Sequence, residues 1–172
     1  FLIHLIDTGL SSRSVARHVS AVRGFLGFLV EDEILEIDPS ETLKAPSWGT
    51  KLPVTFGLDE VEALLEAPDP ELPRGCRDRA MLEILYATGI RVGELCGLDI
   101  DDVDAERHVV RVLGKGRKER TVPFGRPADL ALRTWLRRGR PALAGPGSGP
   151  ALFLGARGGR LDQRAVRTLV HR

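Results

Sequence analysis

Apolar residues recur at steps of three and four through Val15, Val19, Val22, Leu26 and Leu29, with Phe25 and Phe28 beside them and Ser11 and Ser12 just upstream. That spacing predicts an amphipathic helix, N-capped by serine and ending near Glu31. Its other face carries Arg13, Arg17, Ser20, Gly24 and Gly27. This is either a solvent face with two helix-weakening glycines or a basic stripe without bulk that lets a phosphate backbone approach. Breakers follow: Asp38-Pro39-Ser40, Lys44-Ala45-Pro46-Ser47-Trp48-Gly49, then Leu52-Pro53. Proline and glycine at this density mark a linker, placed over 46–56 between a helical unit at 1–45 and a second domain at 57–172. The first unit opens on Phe1-Leu2-Ile3 without a cap and reads as too short to be complete.

Beyond the linker, Leu58-Asp59-Glu60 opens a short helix, and a second runs from about Cys76 to Thr88 with Ala80, Met81, Ile84 and Leu85 as its buried stripe. Tyr86 falls in the same apolar stretch and is assigned to the core. Gly89 suits the helix end, and Val92, Leu95 and Cys96 begin a new apolar pattern, which puts Arg91 at a helix start. From Arg107 the period becomes two. His108 to Leu113 and Glu119 to Pro123, joined by Gly114-Lys115-Gly116, predict a β-hairpin. A helix through Leu130, Leu132, Trp135 and Leu136, a buried strand at Ala151 to Leu154 and a last helix from Asp162 complete the reading. The fold class is therefore mainly α with a small antiparallel β-sheet (α+β).

With 42% apolar residues the chain has the composition of a globular protein. Its apolar runs fall far short of the ~18 to 20 residues that cross a bilayer, so no membrane partner is expected and a cytoplasmic location is the default. Cys76 and Cys96 have no CxxC spacing, and His4, His18, His108 and His171 are scattered, so neither a disulfide framework nor a metal site is expected. The net charge of +1 hides a split. Residues 1–104 carry 9 Lys/Arg against 20 Asp/Glu, a net of −11, whereas residues 105–172 carry 16 against 4, a net of +12. A basic C-terminal portion is either a solvated surface or the footprint of an anionic polymer.

Two segments bear on that choice. In Leu85-Tyr86-Ala87-Thr88-Gly89-Ile90-Arg91-Val92-Gly93-Glu94-Leu95, a guanidinium at a helix start has Glu94 three residues on. The pair is either a surface Arg-Glu contact or a fixed fork suited to two phosphate oxygens. In Gly114-Lys115-Gly116-Arg117-Lys118-Glu119-Arg120, four cations fall within six residues. Flanking glycines remove the bulk that would hold the tip away from a groove. A nucleotide-binding loop is the rival, but GxxxxGK[ST] is absent and these glycines lead into a strand, not a helix.

In this order and spacing the two segments resemble the catalytic domain of Xer-type tyrosine recombinases, within the phage-integrase family, whose motifs look like L-Y-A-T-G-[LI]-R-x-x-E-L and G-K-G-x-K-E-R-x-[VI]-P. Ser14 to Leu29, Asp38-Pro39-Ser40 and Lys51-Leu52-Pro53 are similar to the end of that family's helical core-binding domain and its linker. The resemblance covers essentially the whole chain. It implies the C-terminal part of a core-binding domain at 1–45 and the N-terminal part of a catalytic domain at 57–172. It also implies site-specific recombination of duplex DNA through a 3′-phosphotyrosyl intermediate, without cofactor or metal, by protomers that assemble into a tetrameric synapse. Arg91 matches the first catalytic arginine and Lys115 the hairpin lysine that protonates the leaving 5′ oxygen. Glu94 would orient Arg91, while Arg117, Lys118, Arg120, Arg13 and Arg17 would hold DNA phosphates.

The resemblance also calls for a second arginine, its histidine partners and a nucleophilic tyrosine. The chain's single tyrosine is Tyr86, and His171-Arg172 falls within the last helix without the required spacing. The chain is therefore expected to be an inactive piece of a recombinase, with a non-catalytic DNA-binding module as the alternative and a basic RNA- or nucleotide-binding protein as a weaker third.

Overall fold

The structure, a computed structural model, describes residues 1–47, 55–114, 116 and 118–170. The chain divides into two compact units, Phe1–Val54 and Thr55–Arg172. Its described part is mostly helical with one three-stranded antiparallel sheet, the expected fold class.

In the first unit, the uncapped opening run forms a short helix, α1 (Leu2–Asp7), and α2 (Ser12–Glu31) follows. The Ser11 side chain accepts the Ser14 N–H at 3.2 Å, satisfying one of the donors that a helix start leaves free. Leu5, Val15 and Val19 form a small core, joined by Leu2 and Leu43. The apolar stripe is covered only along the first half of α2. Phe25 and Phe28 are 61% and 55% exposed, because the described unit offers little beyond α1 and the segment around Leu43 to pack on them. The turn at Asp38-Pro39-Ser40 closes through Asp38, which accepts the Ser40 N–H at 2.7 Å; Ser40 is completely buried.

The second unit is built round α4 (Pro73–Thr88), preceded by α3 (Leu58–Glu66) and followed by α5 (Val92–Gly97). Pro73 pre-sets the first turn of α4, and Gly89, at φ 61°, ends the helix in the left-handed conformation. Strands β1 (Val103–Asp104), β2 (Val109–Leu113) and β3 (Glu119–Pro123) pair in that order, with Val110 opposite Val122 and Val112 opposite Arg120. Two residues are too few to show a period of two, so the sequence pattern missed β1. Next come α6 (Arg126–Thr134), a π turn at Trp135–Gly139, α7 (Arg140–Leu143) and finally α8 (Gln163–Val170). The core gathers Met81 and Ile84 of α4, Leu95 of α5, Val110 and Val112 of β2, Trp135, and Val166 of α8. Burying each of the larger aliphatic side chains contributes about 1.5 to 3 kcal/mol.

Two expectations are corrected. Ala151 to Leu154 is buried but forms isolated bridges to Asp99 and Arg160, not a strand of the sheet. Its carbonyls are taken by other donors: Ala151 O accepts Arg140 Nη2 at 2.9 Å, Leu152 O the Trp135 indole at 2.9 Å, Phe153 O the Leu161 N–H at 3.0 Å and Leu154 O Arg77 Nη1 at 2.9 Å. Tyr86, assigned to the core, is 60% exposed. It lies two residues past Ile84, about 200° round the helix, and near the end of α4 only the Ile84 side is covered.

Candidate functional site

The left-handed turn at Gly89 and the buried Ile90 deliver Arg91 as the N-cap residue of α5, in extended backbone at φ −71°, ψ 149°. Glu94, three residues on, turns back. Its Oε2 accepts the Arg91 backbone N–H at 2.8 Å and its Oε1 accepts Arg91 Nη1 at 3.1 Å. The Arg91 side chain is 74% exposed while that of Glu94 is 7% exposed. A buried carboxylate thus holds the base of an open guanidinium. Among the described residues Arg91 makes no other side-chain hydrogen bond, which leaves Nε and Nη2 to donate outward.

A second arginine reaches the same carboxylate. Arg120, on β3, donates Nη1 to Oε1 at 2.8 Å and Nη2 to Oε2 at 2.9 Å, a bidentate fork. Chiefly through these Arg120 bonds, and with help from the backbone and guanidinium of Arg91, the Glu94 carboxyl is held at about 2 against the burial that would raise it.

Arg91 and Glu94 line an open groove of about 1180 Å³ that runs between α5, β2 and α8, with Asp102, Arg111, Gln163 and Arg167 along it. Arg111 donates through Nη2 to Asp102 at 3.0 Å. Sequence reasoning passed over Arg111, Gln163 and Arg167. Arg111 alternates with the buried Val110 and Val112 and was visible as the outward position of β2. Arg167 lies one residue past the buried Val166 of α8, and no sequence signal tied it to Arg91.

Lys115 and Arg117 lie outside the described residues. Around them, the Gly114 N–H donates to Lys118 O at 2.8 Å, and Gly116 adopts φ 76°, a conformation that disfavours any side chain. Lys118 is exposed. In the first unit Arg13 and Arg17 are exposed on α2, and a Cβ on Gly24 or Gly27 would meet no atom within 4 Å. His171 and Arg172 lie outside the described residues. No described helix is long and apolar enough to cross a membrane.

Residues 55–172 match the phage integrase family. The chain belongs to that family. Tyrosine recombinase XerC of Mycobacterium sp. (strain KMS) is 52% identical to this integrase-family chain over 167 residues, which are 95% of the chain and 56% of the relative. The chain therefore spans a little over half the length of the curated relatives it matches. Among solved structures, XerA recombinase is 26% identical, with a TM-score of 0.59 over 96% of this chain and 54% of the other. The Tn1549 transposon integrase in complex with circular intermediate DNA is 21% identical, with a TM-score of 0.71 over 93% and 56%, a likeness of fold alone. The Xer-type resemblance seen in Leu85–Leu95 and Gly114–Arg120 is thus borne out for the integrase-family chain as a whole.

Proposed function

We propose that this chain is the DNA-gripping portion of a site-specific tyrosine recombinase that cuts and rejoins duplex DNA. Its protomers would assemble as a tetramer on two recombination sites, in the cytoplasm where the DNA lies. The observation that carries the reading is the open Arg91 guanidinium, anchored from below by the buried Glu94 at the edge of a groove. A fork fixed at its base loses little freedom when it closes on a phosphate, and its charge is in place as negative charge grows on the phosphoryl oxygens.

In this reading a tyrosine hydroxyl gives up its proton to solvent as its oxygen attacks the scissile phosphorus, a 3′-phosphotyrosyl bond forms, and the bond to the 5′ oxygen breaks. Arg91 binds two non-bridging oxygens, Glu94 orients it, and Lys115 gives its proton to the departing 5′ oxygen. Lys118 and Arg117 at the hairpin, with Arg13 and Arg17 on α2, hold flanking phosphates and add affinity that falls with salt. Whether the recombinase serves chromosome segregation or mobile DNA, the chemistry is the same.

The chain alone acts as a non-catalytic DNA binder. Its single tyrosine, Tyr86, lines a different groove, with Leu58, Val61 and Glu83, from the one that holds Arg91. The test is a nicked duplex that traps covalent adducts, with a matched RNA duplex as competitor. The expected result is a salt-sensitive, non-covalent complex that DNA displaces better than RNA. A covalent adduct would overturn the inert reading, and preference for RNA would overturn the DNA reading.

A further inference from the structure

Arg120 belongs to a run of hairpin cations, and charge alone would place it among the phosphate contacts. Its geometry points elsewhere. Both terminal nitrogens are committed to Glu94, at 2.8 and 2.9 Å, and Glu94 is also the acceptor that holds the Arg91 backbone and guanidinium. One buried carboxylate therefore joins two elements 26 residues apart, the N-terminus of α5 and the turn end of the hairpin. The hairpin itself is shaped round this join. A Cβ at Gly114 would lie 3.2 Å from Arg120 Nη1 and 3.3 Å from the Lys118 carbonyl. The bare residue beside Lys115 thus leaves room for the Arg120 guanidinium as well as for whatever the tip touches.

We infer that Arg120 is a positioning residue: through Glu94 it pins strand β3 to the helix start that presents Arg91, so that the strand and the Arg91 guanidinium are set as one unit. The inference rests on the role proposed above for Arg91. It assigns Arg120 a task other than phosphate binding, since its two terminal nitrogens are turned onto a 7%-exposed carboxylate rather than outward.

Three measurements on the chain with Arg120→Gln test it, with Arg120→Lys as a milder variant that keeps the charge but loses the fork. Carbon-detected titration should show the Glu94 carboxyl rising from about 2 toward the ordinary 4.5 in Arg120→Gln, with Arg120→Lys between. Exchange of the Gly114 amide should quicken about tenfold as the turn end of the hairpin loosens. Binding to a 30-base-pair duplex should keep its salt dependence, whereas loss of a phosphate contact would lower the slope of log K against log salt by about 0.9. A slope reduced by that amount, or unchanged Gly114 exchange in a folded variant, would overturn the inference. If the wild-type chain fails to bind duplex DNA at all, the recombinase reading falls, and titration and exchange still decide whether Arg120 ties the two elements together.

Discussion

Gly75, in the first turn of α4, faces the backbone carbonyl of Asp69 so closely that a methyl group on it would sit 1.7 Å from that oxygen. No side chain fits there without moving the backbone of the loop before α4. Gly75→Ala should therefore cost upward of about 3 kcal/mol and lower the melting temperature by roughly 10 °C. Gly24→Ala on α2, where a Cβ meets nothing, should raise stability by about 0.5 to 1 kcal/mol through helix propensity. Thermal denaturation of the two variants in parallel checks both, and equal effects would show the close approach to be unimportant.

Trp135 is fully buried, stacks on Phe153 at 6.3 Å between ring centroids and donates its indole N–H to Leu152 O. Trp135→Phe keeps most of the apolar area but strands that carbonyl, a loss of about 1 to 3 kcal/mol. Trp135→Ala adds a cavity and should cost about 3 to 5 kcal/mol. Urea titrations should rank wild type, Phe and Ala in that order.

Two glutamates should respond to pH with opposite sign. The Glu94 carboxyl is held at about 2, below its ordinary 4.5. Its contribution to stability is present above about pH 4.5 and is lost as pH falls through about 2, because the unfolded chain takes up the proton first. Glu83 is pushed up, chiefly by burial and against the pull of Arg79. Its contribution is present below the ordinary glutamate range and is lost as pH rises. Glu94→Gln should thus lose stability relative to wild type at pH 7 and converge with it toward pH 2, while Glu83→Gln should gain on wild type between pH 4 and 7. Denaturation midpoints across pH 2 to 7 check both, and parallel curves would refute the assignments.

In the longer protein proposed above, Arg91→Ala should lower strand cleavage by about a hundredfold or more while changing binding little. Arg13→Gln and Arg17→Gln should each reduce the salt slope of duplex binding by about 0.9 without altering the cleavage chemistry. Cleavage of a suicide duplex and binding across a salt series separate these outcomes. Normal cleavage by the Arg91 variant would remove it from the active site.

Much of this was legible in the sequence because its signals are local. The periods of α2 and the hairpin, Ser11 as a cap, Gly89 as a helix end and Arg91 at a helix start each need only a few neighbouring residues. Tyr86 was misplaced because the middle of α4 is covered on several sides, with Leu82 and Glu83 buried beside Ala80 and Met81, and an apolar run of that kind does not reveal where its cover ends. Arg120 was grouped with Lys115, Arg117 and Lys118 because charge density carries no direction. Its pairing with Glu94 depends on where β3 passes α5, which only the folded chain supplies.

The segment Ala151 to Leu154 also bears on how the protein behaves in a crowded cell. Short, uncharged, apolar stretches in extended backbone are templates onto which other chains add strands. In this segment every carbonyl already receives a donor, from Arg140, Trp135, Leu161 and Arg77 in turn. With its carbonyls occupied and its side chains buried, the segment is a poor template for an incoming strand while the domain stays folded.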